Sequence, residues 1–528
     1  MIRIAETKYG RIEGIPAADP RVTAFKGIPF AAPPVGENRW RAPQPLQPWE
    51  GTYKAYDFGP ISVQDTPGLG TDIYCREWHV DPEIPMSEDC LYLNVWTSAK
   101  KTDEKLPVLV WIHGGAYQWG YTAEMEFDGE RIARRGVVVV TVCYRLAVLG
   151  FLAHSELSKE QPEAPANFGL LDQQAALRWV KENIASFGGD PDNITLAGQS
   201  AGGGSVMNQI ANNANAEYIN RAVIMSGMFG SPYHEDEVIK PIPLEFAQKR
   251  GEDFFAFLGV ETLEEARKLD AIWIRDKYAE FAATNPRFML TIDNAFIRED
   301  PMVRIAEGRG LNIPLLAGHT MDEFHDYIAF DAQSTKQDII AMSKIRLPNV
   351  PTLMSGEVLQ HEIKDFFNDK AEEVLRFPES QQTDGIGFGG INVIETGVRA
   401  VFQSRQKHQD APCYFYQFDV DIPGEDNPGT FHSVDLWFFF ETLAKCSRPF
   451  VGRHYDVARL MCNYFTNFIK NGNPNGADAD GSMMPKWMPY KEDEKCGVRF
   501  TGDGVKEFEV TDLFTDYMVD EIVCTKYQ

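Results

Sequence analysis

The sequence predicts an α/β fold: a central, mostly parallel twisted sheet flanked by helices, with an antiparallel edge near the N-terminus and helical insertions capping it. Three observations predict this. Several short apolar runs lack the alternation of a half-exposed strand, so they fit strands buried on both faces. Helical patterns lie between these runs, as parallel crossovers require. One run leads into Gly198-Gln199-Ser200-Ala201-Gly202, a serine on a tight turn between a strand-like and a helix-like segment.

Residues 9–49 are rich in Gly and Pro and read as a small antiparallel edge with loops. Residues 107–112 and 137–144 are the first two continuous apolar runs. A helical pattern over 171–186, carrying Leu171, Ala175, Leu177, Trp179 and Ile184, stops at Phe187-Gly188-Gly189. Residues 193–197 form the strand before the serine, and 201–209 can start the helix after it. Further strands are read at 222–225, 314–318 and 414–418. Residues 232–300 and 325–410 read as helical insertions over the site, the second with a helix at 357–377. An apolar helix at 436–440 and a C-terminal helix at 455–471 follow. The latter ends at Gly472 with Pro474 beyond.

The 528 residues, 44% hydrophobic, can bury a large core. Length alone would allow about three or four domains; a large single-sheet enzyme grown by insertion competes with that, and the reading is one domain over 1–528. The net charge of −26 argues against nucleic acid and anionic membranes as partners. Its ordinary role is solubility, with steering of cationic substrates as the lesser reading. No run of about 18 apolar residues predicts a membrane span. The first ten residues lack the apolar core of a signal peptide, so the chain reads as cytoplasmic, or secreted only if a leader has been removed. The eight cysteines include no CxxC, which removes zinc and thioredoxin-type readings. Cys75 and Cys90 could pair, although a chain without a leader favours reduced thiols.

A GxSxG match is expected by accident roughly 0.15 times in such a chain, so the setting must carry the reading. Glycines at 198 and 202 leave room for a sharp turn that thrusts the Ser200 hydroxyl above the strand ends. A serine alcohol is a poor nucleophile and needs a base, which in turn needs a third group to fix its tautomer. On such a sheet both partners follow the serine in the chain. Asp322, Glu323 and Asp326 come after the 314–318 strand and are the acid candidates. His319 and His325 are too close in sequence to partner them. Of the later histidines, His361 and His408 sit in charged helical stretches, and His454 opens the C-terminal helix. His432 lies on a loop after the 414–418 strand, where a base belongs, with a capping or core role as its alternative. Backbone amides for a developing oxyanion are offered by His113-Gly114-Gly115-Ala116 and by Ala201 at a helix N-terminus. His113 reads as scaffold. Gly385 to Gly390 matches GxGxxG, but no buried strand precedes it. Asn193-Ile194-Thr195 matches a glycosylation sequon inside a buried strand.

Longer motifs carry a resemblance. Phe25-Lys26-Gly27-Ile28-Pro29-Phe30-Ala31-Ala32-Pro33-Pro34-Val35-Gly36, Ser87-Glu88-Asp89-Cys90-Leu91-Tyr92-Leu93-Asn94-Val95, Asn167-Phe168-Gly169-Leu170-Leu171-Asp172-Gln173, Phe187-Gly188-Gly189-Asp190-Pro191 and Phe431-His432-Ser433-Val434-Asp435-Leu436-Trp437 occur in order around the serine motif. In these the chain resembles the type-B carboxylesterases, the cholinesterase-like and para-nitrobenzyl-esterase-like family of the α/β-hydrolase superfamily, over nearly its full length. The resemblance implies a serine carboxylesterase working through an acyl-enzyme. It implies Ser200 as nucleophile, His432 as base and Glu323 as acid, from an Asp-Glu-Gly turn in which Phe324 replaces the glycine. It also implies an oxyanion hole from Gly115, Ala116 and Ala201, with Gly114 setting the turn and Ser226 as a supporting hydroxyl. The bridge to Cys90 that it implies is only loosely matched by Cys75.

The expected partner is a small-molecule ester, with no metal or cofactor, in a monomer or small homo-oligomer. Trp119, Phe324, Phe431 and Trp437 are candidates for an aromatic substrate pocket, against packing as the alternative. A specialised feruloyl, aromatic, drug or carbamate esterase is the second functional reading. A non-catalytic binding module of the same family is the remote one.

Overall fold

A computed structural model describes residues 1–229, 240–323, 393–478 and 480–508, together with Pro232, Val519 and Val523. The apolar runs become the middle of the main sheet, in which eleven strands are described. Leu106–Ile112, Val138–Val142, Gly189–Gln199, Arg221–Met225, Leu315–Thr320, Cys413–Asp419 and Val498–Thr501 pair in parallel, with Leu106–Ile112 between Val138–Val142 and Gly189–Gln199. Tyr92–Thr97, Thr23–Pro29 and Ile15–Pro16 continue the sheet antiparallel beyond Val138–Val142. Ile4–Thr7 and Gly10–Glu13 form a separate antiparallel pair. Two antiparallel features therefore make up the N-terminal edge.

Continuous burial explains the missing alternation. All five residues of Val138–Val142 are buried, and Val138, Val140 and Val142 face one core cluster while Val139 faces the other. Each fully buried Val, Leu or Ile contributes roughly 1.5–3 kcal/mol, so no polar face is tolerated here. The helix Phe168–Asn183 covers one face and passes into a 3-10 turn, Ile184–Phe187, stopped by Gly188 at φ 80°. Ala201–Ala211, buried along its whole length, packs under the same face. Gly452–Asn471 covers the other face and ends at Gly472, φ 72°, whose N–H bonds the carbonyl of Phe468.

Several elements differ from the sequence expectation: the strand Tyr92–Thr97 was not predicted, and the helices Phe168–Asn183 and Gly452–Asn471 each begin three residues earlier than expected. The strand before the serine starts at Gly189, ahead of the predicted 193, because Gly189 still pairs with Leu106 across an irregularity in register. The hairpin Val498–Thr501 and Gly504–Glu507 was not predicted; its short, charge-bearing strands lie at a sheet edge and show no apolar run. Of the first insertion, helices Leu244–Leu258 and Ala271–Ala282 are described. Phe324, His325, Asp326, His361, the 357–377 helix and the Gly385 to Gly390 motif lie outside the described residues.

Candidate active site

Ser200 stands between the Gly189–Gln199 strand and the Ala201–Ala211 helix with φ 57° and ψ −126°. A non-glycine residue there costs on the order of 1–3 kcal/mol, so the surroundings must impose the conformation. They do so through the Ser200 N–H, which bonds the Met225 carbonyl at 2.9 Å, and the Ser200 carbonyl, which accepts from Gly204 at 2.9 Å. The flanking glycines are steric necessities. A methyl on Gly202 would lie 2.7 Å from the His113 carbonyl oxygen, and one on Gly198 would lie 2.8 Å from that of Ile112.

The structure brings Glu323 and His432 together. Glu323 Oε2 bonds His432 Nδ1 in a very short contact, both side chains buried. Glu323 Oε1 accepts from the Thr320 N–H at 2.9 Å. Burial pushes this carboxyl up, but the His432 charge and hydrogen bond, then Ser226 and His319, outweigh burial and hold it below its usual range. The Ser226 hydroxyl faces Glu323 too loosely for a full hydrogen bond. The two loops are also clipped through Asp322, whose Oδ2 accepts from the N–H and hydroxyl of Thr430 at 2.7 and 2.9 Å. That occupation explains why Asp322, also an acid candidate, is a loop clip beside Glu323. Tyr74 donates its hydroxyl to the His432 carbonyl at 3.1 Å, steadying this residue from a separate segment.

At its other nitrogen, His432 Nε2 lies 3.2 Å from Nε2 of Gln199. With the Nδ1 proton directed to Glu323, Nε2 carries a lone pair, which the Gln199 amide can hydrogen-bond. Sequence reading passed over Gln199 although it stands inside the serine motif. Two more groups escaped it. His319 pairs with Glu395 at 3.2 Å, near enough to Glu323 for its charge to act on that carboxyl. Burial lowers the His319 affinity for a proton, but Glu395 raises it further, and Glu395 is itself held down to about 2, mainly by His319 and Arg399 against burial. Asp435 donates no charge at low pH: burial foremost, and the Glu323 charge, push its carboxyl up to about 7. Glu395 stands 76 positions after His319, so no local pattern could join them.

Around the serine, Gly115 has φ 102° and Ala116 φ 52°, so the loop after Leu106–Ile112 turns back on itself. A methyl on Gly114 would lie 3.1 Å from Ser200 Cβ, which brings this backbone against the serine. Among the described residues, no protein acceptor takes the N–H of Gly115, Ala116 or Ala201. Free amides converging beside a serine are what a developing oxyanion needs. His113 is scaffold: buried, stacked on Tyr144 and bonded through Nδ1 to the Gly114 carbonyl at 2.9 Å. His454 holds the start of its own helix, bonding the Val451 N–H at 3.0 Å.

The aromatic pocket needs correction. Phe431 and Trp437 are both 0% exposed in a core cluster, each packed on Trp78, so neither offers surface to a substrate. They pack rather than line because the loop carrying His432 closes onto the sheet. Trp119 is half-buried and lines a cavity beside the oxyanion loop. Phe229, not predicted, lies 6.2 Å from the His432 ring. Cys75 and Cys90 are both free thiols. Among the described residues no cluster of three or more His, Cys, Asp or Glu could hold a metal, and no helix is long and apolar enough to cross a membrane.

A mostly parallel sheet with an elbow serine at a strand end and a buried His–carboxylate pair across from it defines an α/β-hydrolase. The chain belongs to the carboxylesterase family, whose sequence profile matches residues 2–509. It is 32% identical over 503 residues to the para-nitrobenzyl esterase of Bacillus subtilis (strain 168), covering 93% of this chain and 94% of that protein. It is 30% identical over 515 residues to the cholinesterase of Mus musculus, covering 91% and 81%. Among solved structures, a thermophilic PNB esterase superposes with a TM-score of 0.77 at 27% identity, covering 98% of this chain and 100% of that one. The protein is accordingly a carboxylic-ester hydrolase.

Proposed function

We propose that Ser200, His432 and Glu323 hydrolyse small carboxylic esters through an acyl-enzyme. The observation that carries this reading is the Glu323–His432 hydrogen bond, which fixes the Nδ1–H tautomer and makes the Nε2 lone pair the proton acceptor, once it exchanges the Gln199 amide for the serine hydroxyl. Ser200 attacks the ester carbonyl as His432 Nε2 accepts its proton. Glu323 orients the ring and stabilises the imidazolium. The amides of Gly115, Ala116 and Ala201 hold the negative oxygen of the tetrahedral intermediate, an effect worth roughly 3–4 kcal/mol per donor in comparable sites. His432 then protonates the leaving alcohol, and water, deprotonated by the same nitrogen, releases the acid. Ser226 and the His319–Glu395 pair keep Glu323 ionised for this cycle. The helical insertion from residue 240 onward supplies walls near Trp119. Labelling with a fluorophosphonate tests the assignment: stoichiometric modification of Ser200 supports it, and an unreactive or differently labelled protein refutes it.

A further inference from the structure

The loop that presents the oxyanion donors has a second side. The N–H groups of Gln118 and Trp119 bond the Gly115 carbonyl at 2.8 and 2.9 Å, so both residues ride on the turn that aims the Gly115 and Ala116 amides. Beyond them lies an open cavity of about 190 Å³, lined also by Arg275 and Tyr278 of the Ala271–Ala282 helix and by Arg287. Most polar groups in its wall are already spent. Tyr278 donates to Gln118 Oε1 at 2.8 Å, Gln118 donates to the Phe288 carbonyl at 3.0 Å, and the Gln64 amide bonds both N–H and carbonyl of Gly120. Trp119 Nε1 donates to Asp65 at 3.0 Å. Arg275 is held by Asp276 and the Gln64 carbonyl.

Arg287 is different. Its guanidinium stacks over the Trp119 ring, 4.6 Å from the centroid, and among the described residues no acceptor or carboxylate reaches it. Stacking fixes the plane of the guanidinium and leaves its N–H edge free, the arrangement that accepts a carboxylate in two parallel hydrogen bonds. The charged groups lining this cavity are Arg275 and Arg287 against Asp65, an excess of one positive charge on a chain of net charge −26. A local cation on so acidic a protein selects against the general field.

We propose that this cavity is a subsite for the carboxylate end of an ester that also carries a free acid, with Arg287 as the anchoring cation and Arg275 beside it. The inference rests on the ester-hydrolase reading and deepens it, since the cavity shares its wall with the loop of the oxyanion donors. The carboxylate can belong to the acyl or to the alcohol part, and two matched substrate pairs separate these.

The test compares kcat/KM for 4-nitrophenyl hemiglutarate against 4-nitrophenyl pentanoate, and for 4-acetoxybenzoate against 4-methylphenyl acetate. In the wild-type protein one charged member exceeds its neutral partner about tenfold. Arg287→Ala lowers that ratio to about one, and Arg287→Lys restores part of it. The ratio is the readout, so a general loss of activity does not mimic the effect, and the exposed position of Arg287 leaves folding intact, checked by thermal melting. Neutral members preferred in both pairs, or a ratio indifferent to Arg287→Ala, overturns the subsite while leaving the triad standing. No turnover of any of the four esters overturns the triad reading itself, and the subsite with it.

Discussion

Gln199 and His432 meet through their side chains, Nε2 to Nε2 at 3.2 Å, in a site where the histidine's other nitrogen is committed to Glu323. The Gln199 amide thus occupies the lone pair that receives the Ser200 proton in the proposed mechanism. That mechanism requires an exchange of partners at Nε2, from an amide donor to the serine hydroxyl. Gln199→Glu replaces the donor with a carboxylate that favours the imidazolium. The acid limb of the pH profile of kcat/KM is expected to move up by about one unit, equivalent to ~1.4 kcal/mol. An unmoved limb rules out this contact in the working enzyme.

Ser200→Ala removes the nucleophile without disturbing the elbow. Hydrolysis of 4-nitrophenyl pentanoate is expected to fall by several orders of magnitude, while circular dichroism and the melting temperature stay near wild type. Retained turnover would reassign the nucleophile.

His432→Ala and His454→Ala separate the base from the other buried histidine of the C-terminal region. The first loses several orders of magnitude in kcat. The second lowers the melting temperature through the lost bond to the Val451 N–H and leaves the shape of the pH profile unchanged. The reverse pattern contradicts the assignment.

Asp435 gives the fold a pH dependence with a definite sign. Its carboxyl is pushed up to about 7 from an ordinary 3.8, by burial first, and accepts a hydrogen bond from Tyr416 at 2.9 Å. Between those values the folded state holds a proton that the unfolded state has released. Its stabilising contribution is therefore full below about pH 4 and disappears as pH rises through about 7. Asp435→Asn keeps the acceptor for Tyr416 and cannot titrate. Melting temperatures at pH 5 and pH 8 should lie closer together in the variant than in the wild type; equal gaps refute the link.

Gly202→Ala tests the crowding at the elbow. The added methyl meets the His113 carbonyl oxygen at 2.7 Å, and neither backbone can yield without moving the oxyanion loop. The expected cost is about 1–3 kcal/mol, read by denaturant unfolding, with a fall in kcat because the amides are displaced. A variant as stable and active as wild type would show that this turn is loosely packed.

The sequence by itself determined the sheet core, the turn that carries Ser200 and the chain order of its proposed partners. Apolar runs such as 107–112 and 137–144 state burial directly, because a strand covered on both faces has no position for a polar residue. The serine between Gly198 and Gly202 states a turn because only glycine fits where backbones touch. Glu323 and His432 were legible through the chain order and the long motifs around them. Tertiary structure decided what depends on elements distant in sequence. It made Asp322 a clip to Thr430, joined His319 to Glu395, set Gln199 against His432, and sent Phe431 and Trp437 into the core while leaving Trp119 at a cavity. Each of these is a contact across at least 76 residues or a choice of which face a side chain presents, and neither leaves a periodic trace in the chain.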